Sequence, residues 1–141
     1  MVDGPHVYEV ALPLPPSINR TYALNGMQKR LYMNPVAKQW KQDAYDLLIE
    51  AGWKPLSAGS WSLTVHLCMF VCRHDIDSGL KLILDTACAR LEVDDACVRH
   101  VEIDRYFVES HHPQTVNLVV VAERAEPNEH AEQCRFVYLS K

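Results

Sequence analysis

The sequence has no long uninterrupted apolar run. Its best candidate, Leu63 to Val71, is broken by Thr64, His66 and Cys68 and is too short to cross a bilayer. Asp3 stands where a signal peptide would carry Lys or Arg, so a soluble, cytoplasmic protein without a membrane partner is expected. A secreted disulfide framework is also missing, because Cys68, Cys72, Cys88, Cys97 and Cys134 are odd in number and irregular in spacing. Cys68 and Cys72, with His66 and His74 nearby, include zinc-type donors, but no second Cys pair follows and zinc is not expected. The histidines His66, His74, His100, His111 and His112 read as packing or surface residues, with His74 the nearest to the acidic segment discussed below. Repeats, low-complexity tracts and linkers are absent as well, so the 141 residues, 48% of them hydrophobic, read as one packed domain.

A net charge of −4 is the wrong sign for most nucleic-acid-binding domains. The distribution matters more than the sum. Between Arg20 and Lys41 the chain carries Arg20, Lys29, Arg30, Lys38 and Lys41 with no Asp or Glu, interleaved with Tyr22, Tyr32 and Trp40. Acidic residues gather later, in Asp94, Asp95, Glu102, Asp104 and Glu109 and in a tail that carries Glu123, Glu126, Glu129 and Glu132. A basic segment and an acidic one suit a protein that grips phosphates with one surface and a cation with another.

Val7 to Leu14 reads as a strand ended by Pro13, Pro15 and Pro16, and Asn25-Gly26 turns the irregular basic stretch from Ser17 to Met33 back on itself. Asn34 is placed to cap a helix that opens on Pro35, carries Val36, Trp40, Ala44, Leu47, Leu48 and Ala51 at helical spacing, and stops at Gly52. Trp61, Leu63, Val65, Leu67, Met69 and Val71 alternate without a miss, which predicts a strand with one core face. A second helix is predicted from Ser78 to Leu91, with Leu80, Ile83, Leu84, Ala87 and Leu91 on its apolar side and Asp77 or Ser78 as its cap. After a turn at Glu92 to Asp95, strands follow over about Val98–Val108 and Thr115–Ala122, with His112-Pro113 between them. The expectation is an α+β domain over residues 1–122, a small mixed sheet of about four strands packed with two main helices. Residues 123–141 form an acidic extension in which Cys134 to Leu139 could add a short edge strand.

The chemistry lies between the central strand and the turn after the second helix. Asp75 and Asp77 are two apart in an extended segment and point the same way. Lys81 and Asp85 follow at one-turn intervals along the helix flank, and the returning chain brings Asp94 and Asp95 to the start of the next strand. If the two strands are neighbours, three or four carboxylates meet at one sheet edge, and crowded carboxylates favour a cation. Mg²⁺, a hard ion held by a few carboxylates and substrate phosphate, suits them, with Mn²⁺ as a substitute. Lys81 can offset charge in a phosphoryl transition state. Each residue also has an ordinary structural explanation: Asp77 as a cap, Lys81 and Asp85 as an exposed pair one turn apart, Asp94-Asp95 as a turn.

The pattern resembles the RusA family of Holliday junction resolvases. Leu14-Pro15-Pro16-Ser17-Ile18-Asn19-Arg20 is similar to the family's Pro-Pro-Ser-x-Asn segment, and Asp75-Ile76-Asp77, Lys81, Asp85 and Asp94-Asp95 are similar to its acidic series. Ser78-Gly79 stands where the family usually has Asn after the second Asp. The resemblance spans about residues 7 to 122. It implies a Mg²⁺-dependent endonuclease that resolves four-way DNA junctions by paired nicks, with Asp75, Asp77 and Asp95 as catalytic metal ligands and Lys81 as the essential lysine. It also implies a homodimer matched to the two-fold symmetry of the junction. Arg20, Lys29, Arg30 and Arg73 are the expected DNA contacts. Two alternatives stay open: a catalytically silent junction-binding or protein-interaction domain of the same fold, and a nuclease for other branched DNA.

Overall fold

A computed structural model of the chain describes residues 4–16, 22–25, 30–33, 35–72 and 79–125. The alternating run Trp61–Val71 is strand β4, the centre of the sheet, and β1 (His6–Pro13), β5 (Val98–Phe107) and β6 (Thr115–Arg124) complete it in the order β1-β6-β4-β5. β6 is antiparallel to both β1 and β4, whereas β5 runs parallel to β4, so the sheet is mixed as expected. β6 runs two residues past Ala122, and the Arg124 guanidinium lies 4.1 Å over the Trp61 ring. A separate antiparallel ribbon pairs β2 (Tyr22–Asn25) with β3 (Arg30–Met33), the fold-back expected of the basic stretch. The tail strand proposed at Cys134 to Leu139 lies outside the described residues.

Two helices cover one face of the sheet. Helix α1 (Pro35–Glu50) buries Ala37, Trp40, Ala44 and Leu48, a narrow stripe at helical spacing. Val36 and Ala51, assigned to that stripe from sequence, are exposed, Val36 by 65%. At 100° per residue Val36 sits roughly 85° from the stripe's centre, and Ala51 falls beyond the last helical residue. The expected stop holds: Gly52 adopts φ 88°, its amide donates to Ile49 O (3.0 Å), and the Trp53 amide donates to Leu48 O (3.0 Å). This 6→1 and 5→2 pair closes the helix end. Two indoles then tie edge strand β1 to the helical layer, Trp40 Nε1 donating to Pro13 O (3.0 Å) and Trp53 Nε1 to Glu9 O (3.2 Å).

Helix α2 spans Leu80–Leu91 and buries Leu82, Ile83, Thr86, Ala87, Cys88 and Leu91. Leu80 and Leu84, expected in that set, are only half-buried. Thr86 can replace them because its hydroxyl donates to Leu82 O at 2.7 Å and leaves no unpaired polar atom inside. The N-cap also differs from expectation. Gly79, not Asp77 or Ser78, occupies it, in the left-handed region (φ 75°) with no side-chain cap bond. The helix ends with the Glu92 amide donating to Ala89 O and the Val93 amide to Cys88 O. The chain then enters a short 3₁₀ turn, Asp95–Cys97, before β5.

Among the described residues no helix covers the other face of the sheet. β5 is its edge strand and is largely exposed, with Phe70 of β4 stacked on Tyr106 at 5.5 Å between ring centroids. Among the described residues no helix is long and apolar enough to cross a membrane.

Candidate functional site

The sequence-predicted residues converge in part. Lys81 and Asp85 project from the first two turns of α2 and form an ion pair, Nζ to Oδ2, at 3.1 Å. Asp95 opens the 3₁₀ turn after the helix and is exposed. With Leu80 and Leu84 these three residues line one open cleft of about 360 Å³. The half-buried leucines of α2 are thus the apolar walls of the cleft that holds Lys81 and two carboxylates.

Asp94 has a defined structural role. Its Oδ1 accepts from the Ala96 amide (2.9 Å) and caps the 3₁₀ turn. That bond, and after it a side-chain hydrogen bond with Asp95, hold Asp94 below the usual carboxylate range. The acidic surroundings are also felt by Cys88, whose thiol is pushed up to about 11, first by burial and then by the charges of Asp95, Cys97, Asp85 and Asp94. Three carboxylates from the helix and the turn therefore act on one region of the core. Because folding raises this thiol pKa, the stability it contributes is complete below the ordinary thiol value and is lost as pH rises toward 11. Under native reducing conditions Cys68, Cys72 and Cys97 are expected to alkylate well before buried Cys88, which peptide mass mapping over time can check.

The route by which Asp95 arrives differs from the sequence expectation. β4 and β5 are neighbours, but their parallel register sets Val98 beside Leu63 and Phe107 beside Val71. The start of β5 thus lies about 26 Å along the strand from the end of β4, taking 3.3 Å for each of the eight steps from Leu63 to Val71. Asp95 shares with Lys81 the lining of the cleft on the flank of α2, not a strand end. Among the described residues, two groups of His, Cys, Asp or Glu bring three donors within 4.8 Å of one another, and neither includes Asp95.

Asp75, Asp77 and Arg73 lie outside the described residues, as do Arg20, Lys29 and the side chain of Arg30. Pro15 and Gly79, described residues beside these segments, lie against each other. Pro15 is buried against Gly79, so close that a Cβ on Gly79 would sit 2.7 Å from Pro15 Cβ and clash with its Cγ. Gly79→Ala is therefore expected to destabilise by at least about 2 kcal/mol, combining the left-handed penalty with overpacking, as urea denaturation would measure.

Two lysines of the basic segment, outside the four residues expected to contact DNA, lie in a groove on α1. Lys38, Lys41, Gln42 and Tyr45 line an open depression of about 340 Å³, and Arg90 of α2 reaches to 5.7 Å from the Tyr45 ring centroid. The available signal was helical spacing, since Lys38, Lys41 and Tyr45 recur three and four residues apart.

No protein-family profile matches the chain, and no curated protein matches its sequence. Among solved structures it has a weak likeness to 2C-methyl-D-erythritol 2,4-cyclodiphosphate synthase from Plasmodium vivax. The identity is 9% and the TM-score 0.32 over 87% of this chain and 100% of that one, a level that carries no argument.

Proposed function

We propose that this chain is a Mg²⁺-dependent, structure-selective DNA endonuclease of the RusA type that acts on four-way junctions as a cytoplasmic homodimer. The observation that carries the reading is the cleft at the start of α2, which the Lys81–Asp85 ion pair and Asp95 line near the Pro15–Gly79 contact. Among the described residues that line this cleft, the side chains able to ligate a metal are the carboxylates of Asp85 and Asp95, oxygen donors of the kind a hard ion prefers. Asp95, together with Asp75 and Asp77, would hold Mg²⁺, or Mn²⁺ in its place. Bound there, the ion supplies Lewis-acid polarisation of the phosphodiester and a lowered pKa for an attacking water. Asp85 holds the Lys81 ammonium at the cleft, where its charge can offset that gathering on the phosphoryl oxygens. Lys38, Lys41 and Arg90, with Arg20, Lys29, Arg30 and Arg73, supply phosphate contacts.

The parallel register and the capping role of Asp94 favour a second reading, a junction-binding domain of the same fold without catalysis. One assay separates them: nicking of a synthetic four-way junction in Mg²⁺ and Mn²⁺ by the wild type, Asp77→Asn and Asp95→Asn. The endonuclease reading expects cleavage by the wild type alone. Equal cleavage by all three removes the assigned site, and tight binding without cleavage in either metal establishes the silent domain.

A further inference from the structure

The face of the sheet opposite the two helices carries a second group of donors, unrelated to the acidic cleft. His66 and Cys68, two apart on β4, both point to that face, and the register with β5 pairs His66 with Glu102 and Cys68 with Asp104. His66 Nε2, Cys68 Sγ and a carboxylate oxygen of Asp104 lie within 4.8 Å of one another. Individual separations from His66 Nε2 are 2.7 Å to Asp104 Oδ2, 3.9 Å to Cys68 Sγ and 3.9 Å to Glu102 Oε2.

Cys, His and Asp together suggest a nucleophilic triad, but the geometry argues against one. A triad base uses its two ring nitrogens for different partners, one for the nucleophile and one for the orienting carboxylate. Here thiol and carboxylates all converge on the same nitrogen, Nε2. Donors gathered at one point from two strands are the arrangement of ligands about a cation.

We infer that His66, Cys68 and Asp104, with Glu102 or water as the fourth ligand, form a zinc site that clips edge strand β5 to the centre of the sheet. The donor set selects the metal: thiolate and imidazole favour Zn²⁺ over the hard ions suited to the acidic cleft. Zinc bonds of about 2.0–2.3 Å set tetrahedral ligand edges of roughly 3.3–3.7 Å, so the pair at 2.7 Å opens by less than about 1 Å and the pairs at 3.9 Å close slightly. Side-chain rotation supplies such movements, because His66 and Asp104 are 39% and 49% exposed. Cys68 also borders an open depression of about 410 Å³ with Glu9, Ala11 and Asn117, which gives the ion a way in. On binding, the thiol releases one proton while the imidazole moves its N–H from Nε2 to Nδ1, leaving Nε2 to the metal. Spacing along the chain conceals the set, since Asp104 is 38 residues from His66 and joins it only through the parallel register.

The test is Co²⁺ titration of the full reduced chain without DNA, followed by Zn²⁺ competition. The expected result is one equivalent of Co²⁺ bound with thiolate-to-cobalt charge-transfer absorption, displaced by Zn²⁺, and a melting temperature raised by Zn²⁺. Cys68→Ser should abolish the charge-transfer band and the Zn²⁺ shift in melting temperature. His66→Ala and Asp104→Asn should each weaken Zn²⁺ at least about tenfold while circular dichroism shows the fold retained. The site is overturned by the absence of the band in the wild type, by its persistence in Cys68→Ser, or by undiminished binding in the His66 and Asp104 variants. Binding without a thiolate band, lost instead in a His111→Ala/His112→Ala double variant, would assign the metal to the exposed Glu109, His111 and His112 group and overturn the proposal equally.

Discussion

Trp53→Ala is expected to destabilise the fold by about 3–5 kcal/mol, roughly a fifth or more of a stability of roughly 5–15 kcal/mol for a domain of this size. Trp53 follows α1 and is only 1% exposed, so its removal forfeits nearly the whole transfer free energy of an indole and leaves a cavity. Its partners come from two elements, β1 and α2. Nε1 donates to Glu9 O of β1, the ring lies 5.2 Å from that of Tyr8, and its carbonyl accepts from Arg90 Nε of α2 at 2.7 Å. Alanine keeps the carbonyl bond but strips edge strand β1 of a tie to the helical layer. Trp53→Phe preserves most of the burial and loses the indole bond, so about 1–2 kcal/mol is expected of it. Val36→Ala, at an exposed position on the same side of the sheet, should stay within about 0.5 kcal/mol. Urea denaturation of the three variants gives the ordering, and a Trp53→Ala loss no greater than that of Val36→Ala would show that the helical layer is not what holds β1.

The secondary structure was legible because its signals are local and redundant. Alternation from Trp61 to Val71 and the Asn34-Pro35 to Gly52 frame mark elements whose ends agree with the structure to within a residue or two. A strand, a helix and a strand in succession also imply parallel pairing, the arrangement β4 and β5 adopt. Less was legible wherever two elements had to be placed together. Helical spacing marks an apolar stripe but not its limits: Leu80 and Leu84 pack against the core in part and also wall a cleft, while Thr86, self-bonded to Leu82 O, lies fully inside. Spacing groups the carboxylates by their nearness to strand ends, yet the parallel register sends the start of β5 to the far end of β4, and of the described carboxylates Asp85 and Asp95 line one cleft on the flank of α2. Asp104 could not be linked to His66 and Cys68 from spacing at all, because only a register assigns cross-strand partners.

Within the proposed cleft, Asp95→Asn and Lys81→Ala are each expected to reduce Mg²⁺-dependent junction nicking by about 10²–10³-fold, or roughly 2.7–4 kcal/mol of transition-state stabilisation. Loss of folding cannot account for so large a change. Asp95 is exposed and its replacement keeps the side-chain shape, while the exposed Lys81–Asp85 pair contributes on the order of 0.3–0.5 kcal/mol to stability. Asp94→Asn provides the contrast. Asn can still accept from the Ala96 amide and cap the turn, so nicking should fall far less than in Asp95→Asn if Asp94 serves only the backbone. Asp85→Asn separates positioning from chemistry, because it takes the charge from one partner of the Lys81 ammonium and leaves the ammonium in place, and a partial loss, smaller than that of Lys81→Ala, is expected. Single-turnover nicking at saturating junction, with junction affinity measured in Ca²⁺, reads the chemical step apart from binding. Full activity in both Asp95→Asn and Lys81→Ala would show that the cleft at the start of α2 takes no part in cutting, whatever the chain does with branched DNA.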